Sequence, residues 1–216
     1  MTTMTAAPPA PLSKARSAVD CRRDTILDVA ETVFLEEGFA AASMSTIAAR
    51  LGGSKGTLYN YFKSKDELFN AYVERRCLWQ DEIFASPLDN ETPDQTLRRI
   101  GRAYLTRVLT DFNLRNFRLI SAEAERSPEI GRIFYNAGPR LGAERVAELL
   151  SSMAAAGHLQ LDNDPLDAAH QFLGLVQNRY FKARLCNAIP ELSEKQIEDE
   201  AALASRTFLR AFAPRR

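Results

Sequence analysis

From Ile26 onward the apolar positions fall three and four apart. Ile26, Val29, Ala30, Val33 and Phe34 line one side of a helical projection, while Asp28, Glu31, Glu36 and Glu37 fall on other faces. This predicts an amphipathic helix that stops at Gly38 as a left-handed C′ residue, with Phe39 folding back onto Phe34. Ser43 or Ser45 then caps a short helix with Ile47, Ala48 and Leu51 on one side, and Gly52-Gly53 ends it. Ser54 caps a third helix, in which Leu58 and Phe62 point inward and Lys55, Thr57, Tyr59 and Asn60 face outward. Two short helices joined by a tight glycine turn, held by a first helix beneath them, form a helix-turn-helix. Ser64 and Glu67 read as the N-cap and N3 residues of a capping box that opens a fourth, longer helix. Its stripe runs Leu68, Tyr72, Trp79, Ile83 and fades into a polar linker from Ser86 to Pro93.

Everything beyond the linker carries helical periodicity, with helices expected near 93–111, 113–126, 129–136, 139–156, 165–187 and 193–212. Asp164-Pro165-Leu166-Asp167 is a clear start, with a capping acid, a proline at N1 and a second acid at N3. His158 to Asp162 alternates too briefly for a strand and is read as a loop. The predicted fold is all-α. Its divisions are an N-terminal arm over 1–20, read as disordered from its Ala, Pro, Ser and Thr content, a helix-turn-helix unit over 21–66, a connecting helix over 67–86 and a helical bundle over 87–216.

The chain has 216 residues, 45% of them hydrophobic and 26% charged, enough for a real core. Lys and Arg together number 28, as do Asp and Glu, so overall charge points to no partner. Cys21, Cys77 and Cys186 have neither disulfide nor zinc spacing, and a cytoplasmic setting is expected. No apolar run has the length of a membrane span, and no membrane partner is expected. No nucleophile-elbow, P-loop, zincin or dinucleotide glycine motif is present, so no enzyme activity and no cofactor are expected. Asp167 and His170 form one carboxylate–imidazole pair at i, i+3, whereas a di-iron bundle needs two Glu-x-x-His motifs and further glutamates. No metal site is therefore expected, and His170 is read as an interface residue.

The distribution of charge is more informative. Arg50, Lys55, Lys63 and Lys65 crowd a stretch with no acid before Asp66. Such runs are most often plain solvated faces, but here they sit on the outward side of a helix-turn-helix, whose second helix enters the major groove. Ser54, Lys55, Thr57, Lys63 and Lys65 supply donors for phosphate oxygens. Gly56 permits close backbone approach. Tyr59 and Asn60 present surface to base edges, Asn being able to pair bidentately with adenine, and Tyr61 offers its hydroxyl to a phosphate. Double-stranded DNA is the implied partner.

The segment Ser54-Lys55-Gly56-Thr57-Leu58-Tyr59-Asn60-Tyr61-Phe62-Lys63-Ser64-Lys65-Asp66-Glu67-Leu68 closely resembles the TetR family of bacterial transcriptional regulators. So do Phe34-Leu35-Glu36-Glu37-Gly38-Phe39 and Ser45-Thr46-Ile47-Ala48. Gly53 departs from the small apolar residue usual there. The resemblance implies a homodimer with an N-terminal DNA-binding domain and a C-terminal effector-binding domain, most often a repressor released from a palindromic operator by a small molecule. It implies DNA contacts from Ser43, Ser45, Thr46, Ser54, Lys55, Thr57, Tyr59, Asn60, Tyr61 and Lys65. Arg118 to Ala124, with Pro128-Glu129-Ile130 and Phe134-Tyr135, is similar to the AefR-type C-terminal domain.

In that architecture Tyr104, Phe112, Phe117, Phe134 and Phe181 surround an effector pocket, with Glu123, Asn136, Gln177 and Asn178 as orienting polar groups. Two helices are apolar on more than one side. Leu173, Val176 and Tyr180 in one, and Ala201, Ala204, Phe208 and Phe212 in the other, are expected to meet a second copy in a four-helix contact. The competing readings are a helical protein-interaction module and a metal-dependent helical-bundle enzyme.

Overall fold

The computed structural model describes residues 18–77, 83–84, 91–162 and 164–214. The expectations for Trp79 and for positions 1–17 of the arm lie outside them. Positions 18–20 belong to the first helix rather than to an arm. α1 (Ala18–Ala41) buries Ile26, Leu27, Ala30, Val33 and Phe34 completely. Gly38 interrupts it with φ 79° and ψ 162°. The positive φ suits glycine, but ψ is extended rather than left-handed helical, so the chain makes one further turn before it leaves the helix. Phe39 packs back on Phe34 at 5.7 Å between ring centroids, and edge-on against Phe69 at 5.0 Å.

Ser43, not Ser45, caps α2 (Met44–Arg50), accepting the Thr46 N–H at 3.0 Å. Gly52, with φ +70°, turns the chain. Ser54 caps α3 (Lys55–Tyr61) through the Thr57 N–H at 3.2 Å. Leu58 and Phe62 bury themselves under α3, as their spacing requires. α4 (Lys65–Cys77) starts with half of the expected capping box. Ser64 Oγ accepts the Glu67 N–H at 3.0 Å, but the Glu67 carboxylate accepts from the Lys63 N–H at 2.6 Å, one residue earlier than the reciprocal contact demands. Leu68, Phe69, Tyr72 and Val73 close the first core, which also takes in Ile120 and Ile130 from later in the chain.

The second half comprises α5 (Pro93–Val108), α6 (Asp111–Ala124), α7 (Pro128–Tyr135), α8 (Leu141–Ala155), α9 (Pro165–Gln177), α10 (Phe181–Leu185) and α11 (Glu194–Ala211). Thr92-Pro93-Asp94-Gln95 forms a full capping box for α5, and Ser193 with Gln196 forms one for α11. α7 and α8 are joined without a gap by a π-turn over Asn136–Arg140. Pro139 has no N–H to give and its ring would clash with the preceding turn, so the helix widens there instead of ending.

The continuous helix expected over 165–187 is broken at 178–180. The break turns Arg184 inward, where it donates to the Asp111 carboxylate at 2.6 Å and to the Ile189 carbonyl at 3.1 Å. Gly101 on α5 lets α9 and α11 approach closely: a Cβ there would lie 3.3 Å from the Ala201 Cβ and 3.4 Å from Val176 Cγ2. Phe172 meets Phe208 edge-on at 5.4 Å, and Phe208 stacks on Phe212 at 4.4 Å. Gln160 in the expected loop donates its N–H to the Phe212 carbonyl at 2.9 Å, and there is no strand among the described residues. No helix among them is long and apolar enough to cross a membrane.

Candidate functional site

Two places combine exposed or enclosed polar groups with a defined shape. The first is the outer face of α2 and α3. Ser45, Ser54, Lys55, Gly56, Tyr59 and Asn60 are exposed on it, with Ser43, Thr46, Thr57 and Tyr61 half-buried at its edges. Tyr59 keeps 43% of its surface open, while Tyr61 leans on the first core. Ser43 and Thr46 hydroxyls bond each other at 2.9 Å, and those of Ser54 and Thr57 do so at 3.1 Å, so each pair is held at the start of a helix. A convex helix with Tyr59 and Asn60 at its centre and hydroxyls at both helix N-termini can enter a major groove and meet phosphates beside it.

The basic patch expected here is largely tied to the protein itself. Arg50 is paired with Glu36 and with Glu37. Lys63 Nζ donates to the Tyr59 carbonyl at 3.0 Å, in the last turn of α3. Lys65 Nζ donates to the carbonyls of Phe39 at 2.7 Å, Ala42 at 3.0 Å and Ala40 at 3.4 Å, and sits 4.2 Å from the centre of the Phe39 ring. The expectation that Lys65 is a free phosphate donor is corrected accordingly. Its ammonium gathers carbonyls at and just beyond the end of α1, where the helix offers no further N–H to them.

The second place is a cavity of about 490 Å³ lined by α4, α5, α6, α7, the π-turn, the start of α8, α9 and α10. Of the residues named from the sequence for an effector pocket, Tyr104, Phe112, Phe117, Phe134, Gln177 and Phe181 line it. Phe117 is edge-on to Phe134 at 5.7 Å and to Phe181 at 5.3 Å, which builds a slot between flat walls. Glu123, Asn136 and Asn178 do not line it. Glu123 stands beside Gly38, its Oε1 3.5 Å from where a Cβ would be. Asn136 faces a separate polar hollow with Asn70, Glu74 and Arg140. Asn178 is exposed at the break after α9, where an uninterrupted helix would have carried it around the wall.

Besides Tyr104 and Gln177, polar groups face the cavity from residues that the sequence reading does not place there: Tyr72 and Arg76 on α4, and Asn113 and Asn116 on α6. Tyr72 donates its hydroxyl to Asn116 Oδ1 at 2.5 Å, while Asn116 Nδ2 donates to the Phe112 carbonyl at 3.0 Å. Burial, with the nearby Glu31 carboxylate, raises the Tyr72 phenol above its ordinary pKa, and burial also raises that of Tyr104, which accepts from Gln177 Nε2 at 2.5 Å. Arg76 lies 4.5 Å from the centre of the Phe112 ring. Tyr72 and Arg76 are four apart on α4, a spacing that puts both on one face; which cavity that face would meet is a tertiary fact. Cys77 is also in the wall, and burial pushes its thiol up to about 11, so it stays protonated near neutral pH.

The residues expected at a contact with a second copy are mostly inside one protomer. Val176, Ala201, Ala204 and Phe208 are buried within the chain, and Leu173 is buried in the cavity wall. Tyr180 and Phe212 are half-buried against the second core. The near-heptad seam of α11 therefore packs on α5 and α9 of its own chain. The sides of α9 and α11 left open carry His170, Gly174 and Leu203 instead, the last with 39% of its surface exposed. His170 and Gly174 also border the cavity.

Comparison with known proteins gives this geometry a context. Residues 26–72 match the model described as bacterial regulatory proteins of the tetR family, and residues 95–214 match that of the AefR-like transcriptional repressor C-terminal domain. The uncharacterized HTH-type transcriptional regulator Rv1255c of Mycobacterium tuberculosis is 29% identical over 140 residues, which cover 62% of this chain and 59% of that protein. The chain thus spans less than two thirds of the length of this curated relative. Among solved structures, the flavonoid-responsive regulator FrrA superposes with a TM-score of 0.81 at 34% identity, covering 91% of this chain and 99% of FrrA. A putative regulator from Mesorhizobium loti superposes with a TM-score of 0.76 at 22% identity, over 92% of this chain and all of that one, and shows the shared fold.

Proposed function

The chain belongs to the TetR family of bacterial transcriptional regulators, and from that premise we propose that it is a homodimeric repressor that leaves a palindromic operator when a planar aromatic effector fills its cavity. One observation carries the reading. α4 starts at Lys65, beside the α2–α3 face, and twelve residues later ends in the cavity wall, so Tyr72 and Arg76 touch whatever enters while Lys65 holds the end of α1. A ligand that shifts α4 moves the recognition helix, and two such helices in a dimer lose the spacing that engages both half-sites together.

The slot of aromatic side chains suits a flat ring system, and FrrA, by its name responsive to flavonoids, is a relative with the same fold along nearly its whole length. In this reading residues 21–66 form the DNA-binding unit, 67–86 the connection and 87–216 the effector and dimer domain. Ser43, Ser45, Thr46, Ser54, Lys55, Gly56, Thr57, Tyr59, Asn60 and Tyr61 supply the DNA contacts. The open sides of α9 and α11, with Gly174 and Leu203, receive the second copy. Selection of bound fragments from random duplex DNA tests the proposal: an inverted repeat with half-sites about one helical turn apart is expected, and a strongly preferred site without a dyad overturns the dimeric reading.

A further inference from the structure

Arg76 is the one arginine or lysine among the described residues that line the cavity, and no carboxylate lines it among those residues. Its guanidinium meets Glu31, the Tyr72 hydroxyl and the face of the Phe112 ring. Nη2 donates to Glu31 Oε1, whereas the Nε–H on the same edge is enclosed and has no hydrogen-bond partner among the described residues. That edge of an arginine carries two parallel N–H groups, the pattern that a carboxylate accepts with both oxygens. Glu31 uses half of it. The carboxylate of Glu31, 7% exposed on α1, also stands 3.7 Å from Arg75 Nη2. Arg75 in turn donates to Asp28 Oδ1 at 2.8 Å and to the Asp24 carbonyl at 3.1 Å.

We propose that the effector is an aromatic carboxylate whose two oxygens take the Nε–H and Nη2–H of Arg76, displacing Glu31 onto Arg75. The inference rests on the cavity being the effector site. The Phe112 ring against the guanidinium fixes the plane in which the carboxylate must approach, and the Phe117, Phe134 and Phe181 walls hold the ring it is attached to. The exchange is also the signal. Glu31 lies on the helix that underpins the α2–α3 head, and its ion pair with Arg76 fastens that helix to α4. Once the ligand holds Arg76, the link from Glu31 to α4 runs through Arg75 alone, while Lys65 still holds the far end of α1. A neutral ligand of the same shape fills the slot but leaves the fastening in place.

The test is calorimetric titration of the full chain with matched pairs of acids and primary amides: 4-hydroxycinnamate with 4-hydroxycinnamamide, and 2-naphthoate with 2-naphthamide. A carboxylate seated on a charged fork should bind about ten- to a hundredfold more tightly than its amide. Arg76→Gln should bring the acid down to the level of the amide. Glu31→Gln removes the competitor and should strengthen the acid more than the amide, a result that a merely structural Arg76 does not give. Should Arg76→Gln fail to fold by circular dichroism, Glu31→Gln decides alone. Acid and amide binding alike, or a preference for the acid that survives Arg76→Gln, overturns the carboxylate inference and leaves the cavity reading standing. Absence of saturable binding by every member of the panel overturns both.

Discussion

Replacing Lys65 by methionine removes its ammonium and keeps the unbranched stem, with a sulfur in place of the Cδ methylene. Three carbonyls lose their shared donor, at 2.7, 3.0 and 3.4 Å, and the Phe39 ring loses a cation 4.2 Å from its centre. A hydrogen bond from a charged donor contributes roughly 1.5–3 kcal/mol, and a cation over a ring at a partly exposed site roughly 0.5–1 kcal/mol. Lys65 is half-buried, so water reaches part of the vacated space and the lower ends apply. The expected loss of stability is about 2 kcal/mol, read as a lower urea midpoint with an unchanged slope. Operator affinity measured against salt concentration supplies the second readout. A lysine bound to phosphate contributes about 0.9 to the logarithmic salt slope, and Lys65→Met should leave that slope where it was. A variant that keeps its stability to within about 0.5 kcal/mol but loses nearly one unit of salt slope would show that the ammonium turns outward to DNA and that the cap on α1 is incidental.

The recognition face and the cavity wall each supply one further outcome. Tyr59→Ala should weaken binding to the selected operator about tenfold more than binding to random duplex; equal losses on both would remove Tyr59 from the base-reading surface. Cys77, with its thiol pushed up to about 11, has little thiolate below that pH, so iodoacetamide should label it more slowly than exposed Cys21 and Cys186 at pH 8, with its rate climbing toward pH 11. Peptide mass spectrometry that finds all three labelled at one rate would contradict the half-buried placement of Cys77 in the cavity wall.

The helices are legible in the sequence wherever local chemistry determines them. Ser54, Ser193 and Thr92 each cap the helix that begins at the next residue, and Leu58 with Phe62 announces which side of α3 is inward. The features that the sequence does not disclose depend on partners far along the chain. The interruption after Gln177 has no glycine or proline to mark it; it lets Arg184 reach Asp111, on a helix more than seventy residues earlier. Periodicity also cannot say whether a second apolar face meets another protomer or the same one. The pattern assigns Ala201 and Val176 to a dimer because Gly101, whose missing side chain admits both, looks like any other helical glycine. The aromatic part of the cavity is readable from ring residues at helical spacing. Its polar part is readable only at Gln177, because partners such as Tyr72 and Asn116 lie 44 positions apart.

The pairing of Arg50 with Glu36 and Glu37 has a consequence for how the protein discriminates among DNA sites. Affinity for arbitrary duplex comes almost wholly from cations that displace condensed counterions. On this head one arginine is neutralised by its own carboxylates, and the ammonium groups of Lys63 and Lys65 are anchored to backbone carbonyls, which leaves Lys55 as the outward lysine with no intramolecular partner among the described residues. On the proposed reading, the outer face then meets phosphates mainly through hydroxyls and helix N-termini, which recognise geometry more than charge. On that reading, discrimination comes from a raised ratio of right to wrong binding rather than from raw affinity, and that ratio set against the number of wrong sites governs occupancy.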